Sequence, residues 1–528
     1  MKNIAHIPFQ EIDSIPKLIK DFLDNKIGEF SEQKLSIDNI AKQIEKKSIS
    51  FTSAQREVLY EVLASQHSGT QLSASQKENL NLLKESNTYT VTTGHQLNLF
   101  TGPLYFIYKI LQTIKTAKFL KENFPERNFV PIFWMASEDH DFLEINHFKT
   151  PEHYFEFNAE SGGAVGDIIV QDAHFIARFE EEFKDYTYGT ELVYMMKEAY
   201  QKGNSLAEAT RTLANRLFED YGLLLLDGNS ADLKRQMIPI FKQELFESKV
   251  EESTARMVEF LSNNYQKVQV NPREINLFYL SSTRNRIERE GERFKVVDTD
   301  LHFTKSELLV ELEGNPERFS PNALLRPVYQ EVVLPNLAYI GGNAEIMYWM
   351  ELKDYFNDIN LPFPILIPRN SLLFLRPKTF MKMEKLGFEI NDFFGNFASK
   401  VNGKLLDKSK LSGLLDAKKT ELQNMFSQIK EKAVLTDVTF QNLVQAEEVR
   451  QMKSFSRMEK RLLRAERIKQ REALSRIEEL FLEIHPGKNW QERVFNFSWL
   501  YMDYGSDWLQ NCYNSIDVQN SGINIVEI

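Results

Sequence analysis

Between Thr88 and Lys149 the chain commits to one local topology. Two short apolar runs, Tyr89 to Thr93 and Phe129 to Ala136, flank a helical run from about Pro103 to Asn123. That is a βαβ unit, and its polar residues collect just after the strands. In an open parallel sheet, ligands bind in the crevice outside the carboxyl ends of the strands. Gly94, His95, Gln96, Glu138, Asp139, His140 and Asp141 stand there, so the sequence points to a small-molecule site.

The rest of the chain extends this pattern. Residues 1 to 87 read as helices: SAQREVLYEVLASQ and SASQKENLNLLKES carry apolar positions at three- and four-residue spacing, with Ser53 and Ser73 as N-caps. From about 150 to 222, short strands, a hairpin turn at Ser161 to Gly166 and helices read as an insertion. The run Leu223 to Gly228 is a buried strand, followed by a helix from about Ala231 to Asn263 and a stretch of no clear order to about Glu313. A strand-rich region, LLRPVYQEVVLPNLAYIGGNAEIMYWMEL, and the strand FPILIPR complete an alternation that marks a doubly wound α/β fold. Beyond about 380 the strands stop. Residues 405 to 433 and 440 to 484 read as two long helices. Leu411, Leu415, Leu422 and Ile429 form a stripe on one, and Leu443, Met452, Leu463, Ile477 and Leu480 a looser one on the other. An antiparallel coiled-coil arm is the simplest arrangement.

Composition narrows the function. At 528 residues the chain needs more than one core. Its formal net charge of −11 gives no global basic footprint for phosphates, so nucleic acid is not the expected partner. Cys512 is the only cysteine, which excludes an intrachain disulfide and any CxxC motif. No signal peptide and no apolar run of about 20 residues is present, so the expected location is cytoplasmic, with no membrane association.

Four motifs carry chemistry. TTGHQ (Thr92 to Gln96) places a glycine that allows close backbone approach beside a histidine at a strand end. In TGPLYFIYK, Thr101 reads as an N-cap with Gly102 and Pro103 opening a helix whose free N–H groups favour phosphate or carboxylate, and Lys109 reads as solvated. SEDHDFLEINH (Ser137 to His147) is the densest titratable cluster. Its spacing matches no closed zinc motif, while its carboxylates suit an ammonium group and its histidines suit proton transfer. In YIGGNAEIMYW, Gly341 and Gly342 break a strand ahead of a helix with Glu345 on its first turn. Neither GxGxxG nor a P-loop occurs.

At these motifs the sequence resembles the bacillithiol biosynthesis cysteine-adding enzyme family (BshC). TGHQLNLFTGPLYFIYK, VPIFWMASEDHDFLEINH, RFSPNALLRPVYQEVVLPNLAYIGGNAEIMYW and the helical C-terminal arm match in the family's order across nearly the whole chain. The resemblance implies an α/β fold: a Rossmann-like doubly wound parallel-sheet core with insertions, similar to class I aminoacyl-tRNA synthetases, plus a C-terminal antiparallel α-helical coiled coil that makes a homodimer. The expected parts are 1–150 and 223–380 as the two portions of the core, 151–222 as a connecting insertion, 381–485 as the arm, and 486–528 packing back on the core. The implied activity is a ligase forming a carbon–nitrogen bond, joining L-cysteine to the amino group of glucosaminyl malate in the last step of bacillithiol synthesis. Of the synthetase HIGH motif only His95 is present, and no KMSKS loop is found. How the cysteine carboxylate is activated therefore stays open: ATP or another adenine nucleotide is a candidate cosubstrate, and no metal is expected. Position by position, the resemblance gives His95, Asp139, His140, Asp141 and His147 as catalytic candidates. It gives Gly94, Gln96, Thr101, Gly102, Glu138, Asn146, Arg326, Gly341, Gly342 and Glu345 as substrate-binding candidates. A catalytically degenerate scaffold that recruits a partner through the arm, or an amino-acid-activating enzyme for another acceptor, are the competing readings.

Overall fold

A computed structural model describes residues 1–171, 174–266, 268–407 and 409–528. The chain forms two compact units: residues 1–10, 15–374 and 489–528, and residues 11–14 with 375–488.

The first unit is built on a five-stranded parallel sheet: β1 (Thr88–His95), β2 (Asn128–Met135), β3 (Leu224–Asp227), β4 (Asn336–Gly341) and β5 (Ile365–Pro368), in the spatial order β5-β4-β1-β2-β3. The chain winds outward from β1 to β3, then returns to the other side of β1. The strand order therefore reverses between β1 and β4, and that is where a doubly wound sheet opens a crevice. Every residue of β1 is buried, as expected of a strand covered on both faces. Its threonines find partners: Thr92 Oγ1 donates to Asn336 Oδ1 at 2.8 Å and Thr93 Oγ1 to the Ile340 carbonyl at 2.8 Å. Helix α1 (Tyr105–Asn123) crosses from β1 to β2, and α2 (Asn343–Glu351) follows β4.

Several expectations are corrected. The N-terminal region is not all helix: Lys2–Pro8 is a strand paired antiparallel with Gly522–Glu527 at the other end of the chain. Thr52, not Ser53, caps Ser53–Gln66, whereas Ser73 does cap its helix. The expected helix from Ala231 is three pieces, Ala231–Arg235, Ile238–Glu247 and Lys249–Tyr265; Ser248, in the left-handed region at φ 52°, separates the last two. SGGAVG is not a hairpin turn: the strand before it, Tyr154–Glu156, pairs with His147–Lys149, and Ile169 after it bridges to Ser205. The stretch of no clear order contains four strands of a five-stranded antiparallel sheet, ordered His302–Thr304, Arg293–Val296, Arg284–Glu290, Leu277–Leu280, Phe319–Pro321, the last lying just beyond it. LLRPVYQEVV is helix, Leu325–Val333, not strand.

The second unit is helical. Its longest elements, α3 (Lys410–Ala433) and α4 (Val438–Lys469), form a helical hairpin with Leu422 packed on buried Phe426, Ala433 and Val444. Lys419 and Glu459 pair across it at 2.6 Å. Leu411, Leu414, Leu443 and Val449 remain exposed. Among the described residues, no helix is long and apolar enough to cross a membrane.

Candidate functional site

A cavity of about 900 Å³ opens where β1 and β4 end. Gly94, His95 and Gln96 come from the end of β1, Glu138 and Asp139 from the loop after β2, and Glu345 and Tyr348 from α2. The antiparallel sheet supplies Leu277, Phe278, Arg284, Arg286 and Pro321, and the segment before it supplies Val270 to Arg273. Its charged lining is Lys109, Arg273, Arg284, Arg286 and Arg326 against Glu138, Asp139 and Glu345. An acidic chain has built a basic cavity.

At the floor sits a residue that the sequence reading left in solvent. The Lys109 side chain is 2% exposed, and its Nζ donates to the Gly94 carbonyl and to Glu345 Oε1 and Oε2 at 2.9 and 2.8 Å. This one amine ties the end of β1 to the first turn of α2. Glu345 also accepts from Tyr339 Oη at 2.6 Å and from the Gly342 N–H at 3.1 Å. Burial alone would raise the Glu345 pKa, but Lys109 and the two other donors bring it down to about 2. Burial also pulls the Lys109 ammonium below the ordinary lysine value.

His95 lies above this pair, its ring 5.1 Å from that of Tyr105 and 5.3 Å from that of Phe106. Burial, then the nearby Lys109 charge, lowers its pKa to about 3, so the ring is neutral. Nδ1 is 3.0 Å from the Gln96 carbonyl. A carbonyl only accepts, which puts the proton on Nδ1 and leaves a lone pair on Nε2.

Gln96 bridges two carboxylates, donating from Nε2 to Asp139 Oδ2 at 2.7 Å and Glu144 Oε2 at 2.8 Å. Burial opposes ionisation of Asp139, but the Gln96 amide, the His140 N–H at 2.7 Å and the Arg284 charge together hold it below the usual carboxylate value. His140 is not on the lining. It stands behind Asp139, with Nδ1 3.2 Å from Arg284 Nη1 and 3.5 Å from Asp139 Oδ1. Arg284 lies 4.1 Å over the Phe278 ring and donates to Ser320 Oγ and the Pro321 carbonyl, which fixes its reach. Glu138 is ion-paired from behind with the wholly buried Lys234. Arg326 donates from Nη1 to Gln330 Oε1 at 3.1 Å and interacts with the Tyr348 hydroxyl, while among the described residues Nη2 has no partner in hydrogen-bonding geometry. The Gly94 Cα side faces the guanidinium and Trp134: an added Cβ would stand at ordinary contact distance, 3.5 Å from Arg326 Nη1 and 3.4 Å from Trp134.

The remaining candidates stand elsewhere. Asp141 caps the short helix Phe142–Ile145, accepting from the Glu144 N–H. Asn146 is buried, and His147 lies tilted against the Tyr154 ring at 5.4 Å with Nδ1 3.1 Å from Asn146 Oδ1, and neither lines the cavity. Gly341 and Gly342 end β4 and start α2 without lining it. Thr101 is not an N-cap: α1 begins at Tyr105 with Leu104 at the cap position and no side-chain cap. Phe100, Thr101 and Gly102 all have positive φ, and the Phe100 and Gly102 carbonyls accept from buried Asn496 Nδ2 at 2.7 and 2.6 Å. The N–H groups there are taken as well, that of Gly102 by Leu99 and that of Leu104 by Phe495. Two of the N–H groups expected to cradle an anion at this helix start are therefore engaged within the protein, and neither Thr101 nor Gly102 lines the cavity. Among the described residues, no group of three or more metal-ligating side chains is found.

Comparison with known proteins agrees with this layout. The family model for the N-terminal Rossmann-like domain of bacillithiol biosynthesis BshC matches residues 3–370, and that for its C-terminal coiled-coil domain matches residues 372–528. A protein of Flavobacterium johnsoniae named "Putative cysteine ligase BshC" is 40% identical over 99% of both chains. Proteins of the same name from Flavobacterium psychrophilum and Christiangramia forsetii are 40% and 39% identical, over 95% and 98% of both chains. Matched from end to end in both its sheet-bearing and its helical parts, the chain belongs to the BshC family of bacillithiol biosynthesis.

Proposed function

We propose that this protein is a ligase that joins the carboxyl group of L-cysteine to the amino group of glucosaminyl malate, completing bacillithiol. The observation that carries this reading is the charge pattern of the cavity. Both substrates bear carboxylates, and Arg273, Arg284, Arg286 and Arg326 outnumber the acidic groups whose charge is not already met by a lysine. Arginine is suited to this because its planar fork can hold a carboxylate through two parallel bonds.

Amide formation needs a neutral amine, an activated carboxyl and donors for the oxyanion that develops. Asp139, held ionised, receives an ammonium group, and the proton that the amine releases passes through this carboxylate to His140 behind it. His95 is too weakly basic for that step at neutral pH, so its Nε2 lone pair orients a substrate N–H or O–H. Arg326 Nη2 donates to the developing oxyanion. The phosphates of an adenine nucleotide would fit Arg273 and Arg286; when bound, such a group supplies activation of the cysteine carboxyl.

Deleting the gene and measuring cellular low-molecular-weight thiols tests the reading. Bacillithiol is expected to disappear while glucosaminyl malate accumulates, and unchanged thiols overturn it. Restoring the gene as Asp139→Ala or His140→Ala should fail to return the thiol. His153→Ala should return it, since His153 faces Glu182 at 3.3 Å outside the cavity.

A further inference from the structure

Helix α2 starts at the cavity floor with Glu345 and ends on a second carboxylate. Glu351, its last residue, is 1% exposed. Its Oε1 accepts from the backbone N–H of Gln269 at 2.6 Å and of Val270 at 3.4 Å, and among the described residues Oε2 has no hydrogen-bond partner. Val270 and the three residues after it line the cavity. One buried side chain therefore ties the far end of α2 to a wall whose neighbouring floor the near end provides.

Lys20, Glu251 and Glu259 stand on elements packed against α2 with no bond to Glu351, and the other cations there are engaged elsewhere. On Lys249–Tyr265, Lys249 pairs with Glu252 and Asp358, and Arg256 with Glu29 and Asp354. On Lys17–Leu23, Lys17 pairs with Asp21; on the helix after α2, Lys353 lies over the Phe30 ring. Just beyond the wall residues, Glu274 pairs with Arg289. Among the described residues, Glu351 faces two amides and no cation.

We propose that Glu351 is a positioning residue that latches the wall segment 268–273 against the cavity and loosens it as pH rises toward neutrality. A carboxylate buried without a cation is driven toward its neutral form. Burial lifts Glu351 from 4.5 to about 7, although both amides favour the anion. When the segment swings away, the side chain is rehydrated and returns to its ordinary value. The closed wall thus binds the proton more tightly than the open one. The closure that Glu351 supports is complete below its ordinary value of 4.5 and exhausted above about 7. Across that window the closing equilibrium falls by roughly two orders of magnitude.

This inference rests on the cavity being the substrate site, and its test uses no catalysis, so the two fail separately. Hydrogen exchange of residues 268–276 is measured from pH 5 to 7.5 in the full-length protein, corrected for the chemical exchange rate and referenced to β4. The wild-type segment should lose at least about tenfold of its protection relative to β4, a conservative share of the linkage. Glu351→Gln keeps an acceptor oxygen for both amides and cannot ionise, so its segment should show no pH response. A wild-type segment as flat as β4, or a variant that responds as the wild type does, overturns the proposal. The wild-type comparison decides alone if the variant does not fold.

Discussion

Replacing Lys109 with methionine keeps the length of the stem and deletes one charge. Glu345, whose side chain is 26% exposed, then retains, among the described residues, the Tyr339 hydroxyl and the Gly342 N–H as donors. Two routes give the magnitude. Breaking a buried pair by removing one partner costs about 3–5 kcal/mol, because the other charge is left uncompensated. The fall of Glu345 from 4.5 to about 2 corresponds to about 3 kcal/mol at roughly 1.4 kcal/mol per pKa unit. Lys109 is the largest favourable cause of that fall but not the only one, so a loss of about 3 kcal/mol is the expected value. Since the Glu345 value is lowered on folding, this stability is present above the ordinary carboxylate value and lost as pH falls through about 2. Urea unfolding at pH 7, followed by tryptophan fluorescence, is the assay: all five tryptophans lie in the unit that holds the sheet, so the signal is confined to it. In a cycle with Glu345→Gln, a coupling of at least about 1.5 kcal/mol is expected for groups in direct contact. A loss under about 1 kcal/mol, the range of a solvated surface pair, or strictly additive effects would refute the clamp.

Two further outcomes are expected. His95, held at about 3, should show no imidazole titration by NMR between pH 5 and 8, and a resonance that moves in that interval would contradict its burial beside Lys109. A second copy docking on the exposed Leu411, Leu414, Leu443 and Val449 of the α3–α4 hairpin predicts that sedimentation finds a dimer that becomes a monomer when residues 410–469 are removed. A dimer that outlasts the deletion excludes this interface.

What the sequence made legible follows from how local each signal is. The βαβ unit was plain because strand, helix and strand are consecutive, and each is buried enough to read as an apolar run. The positions after β1 and β2 followed from topology alone, which is why Gly94, His95, Gln96, Glu138 and Asp139 could be named together. The antiparallel sheet escaped notice for the opposite reason. RNRIERE buries only Ile287, so its alternation is almost entirely polar and resembles a loop. With that sheet went Arg284, which meets His140 across 144 positions of sequence, a contact that no spacing rule anticipates. Thr101 misled because TGP is a sound helix opening in isolation. In the fold, Asn496, nearly 400 residues away, claims the Phe100 and Gly102 carbonyls and turns the chain left-handed there.

Lys109 is the instructive miss, because a local signal for it did exist. From Phe106 to Ile114 every residue of α1 is buried, and Lys109 is the only charged one among them. A helix apolar on all its faces is a buried helix, and a lysine is almost never fully buried without a partner. The reading as a solvated side chain was therefore inconsistent with its own neighbours. Helical periodicity could have required a carboxylate opposite Lys109; only the crossover of the chain from β3 back to β4 decides that the carboxylate is Glu345. That same crossover creates the crevice, so the residue that closes the floor and the topology that opens the site have one origin.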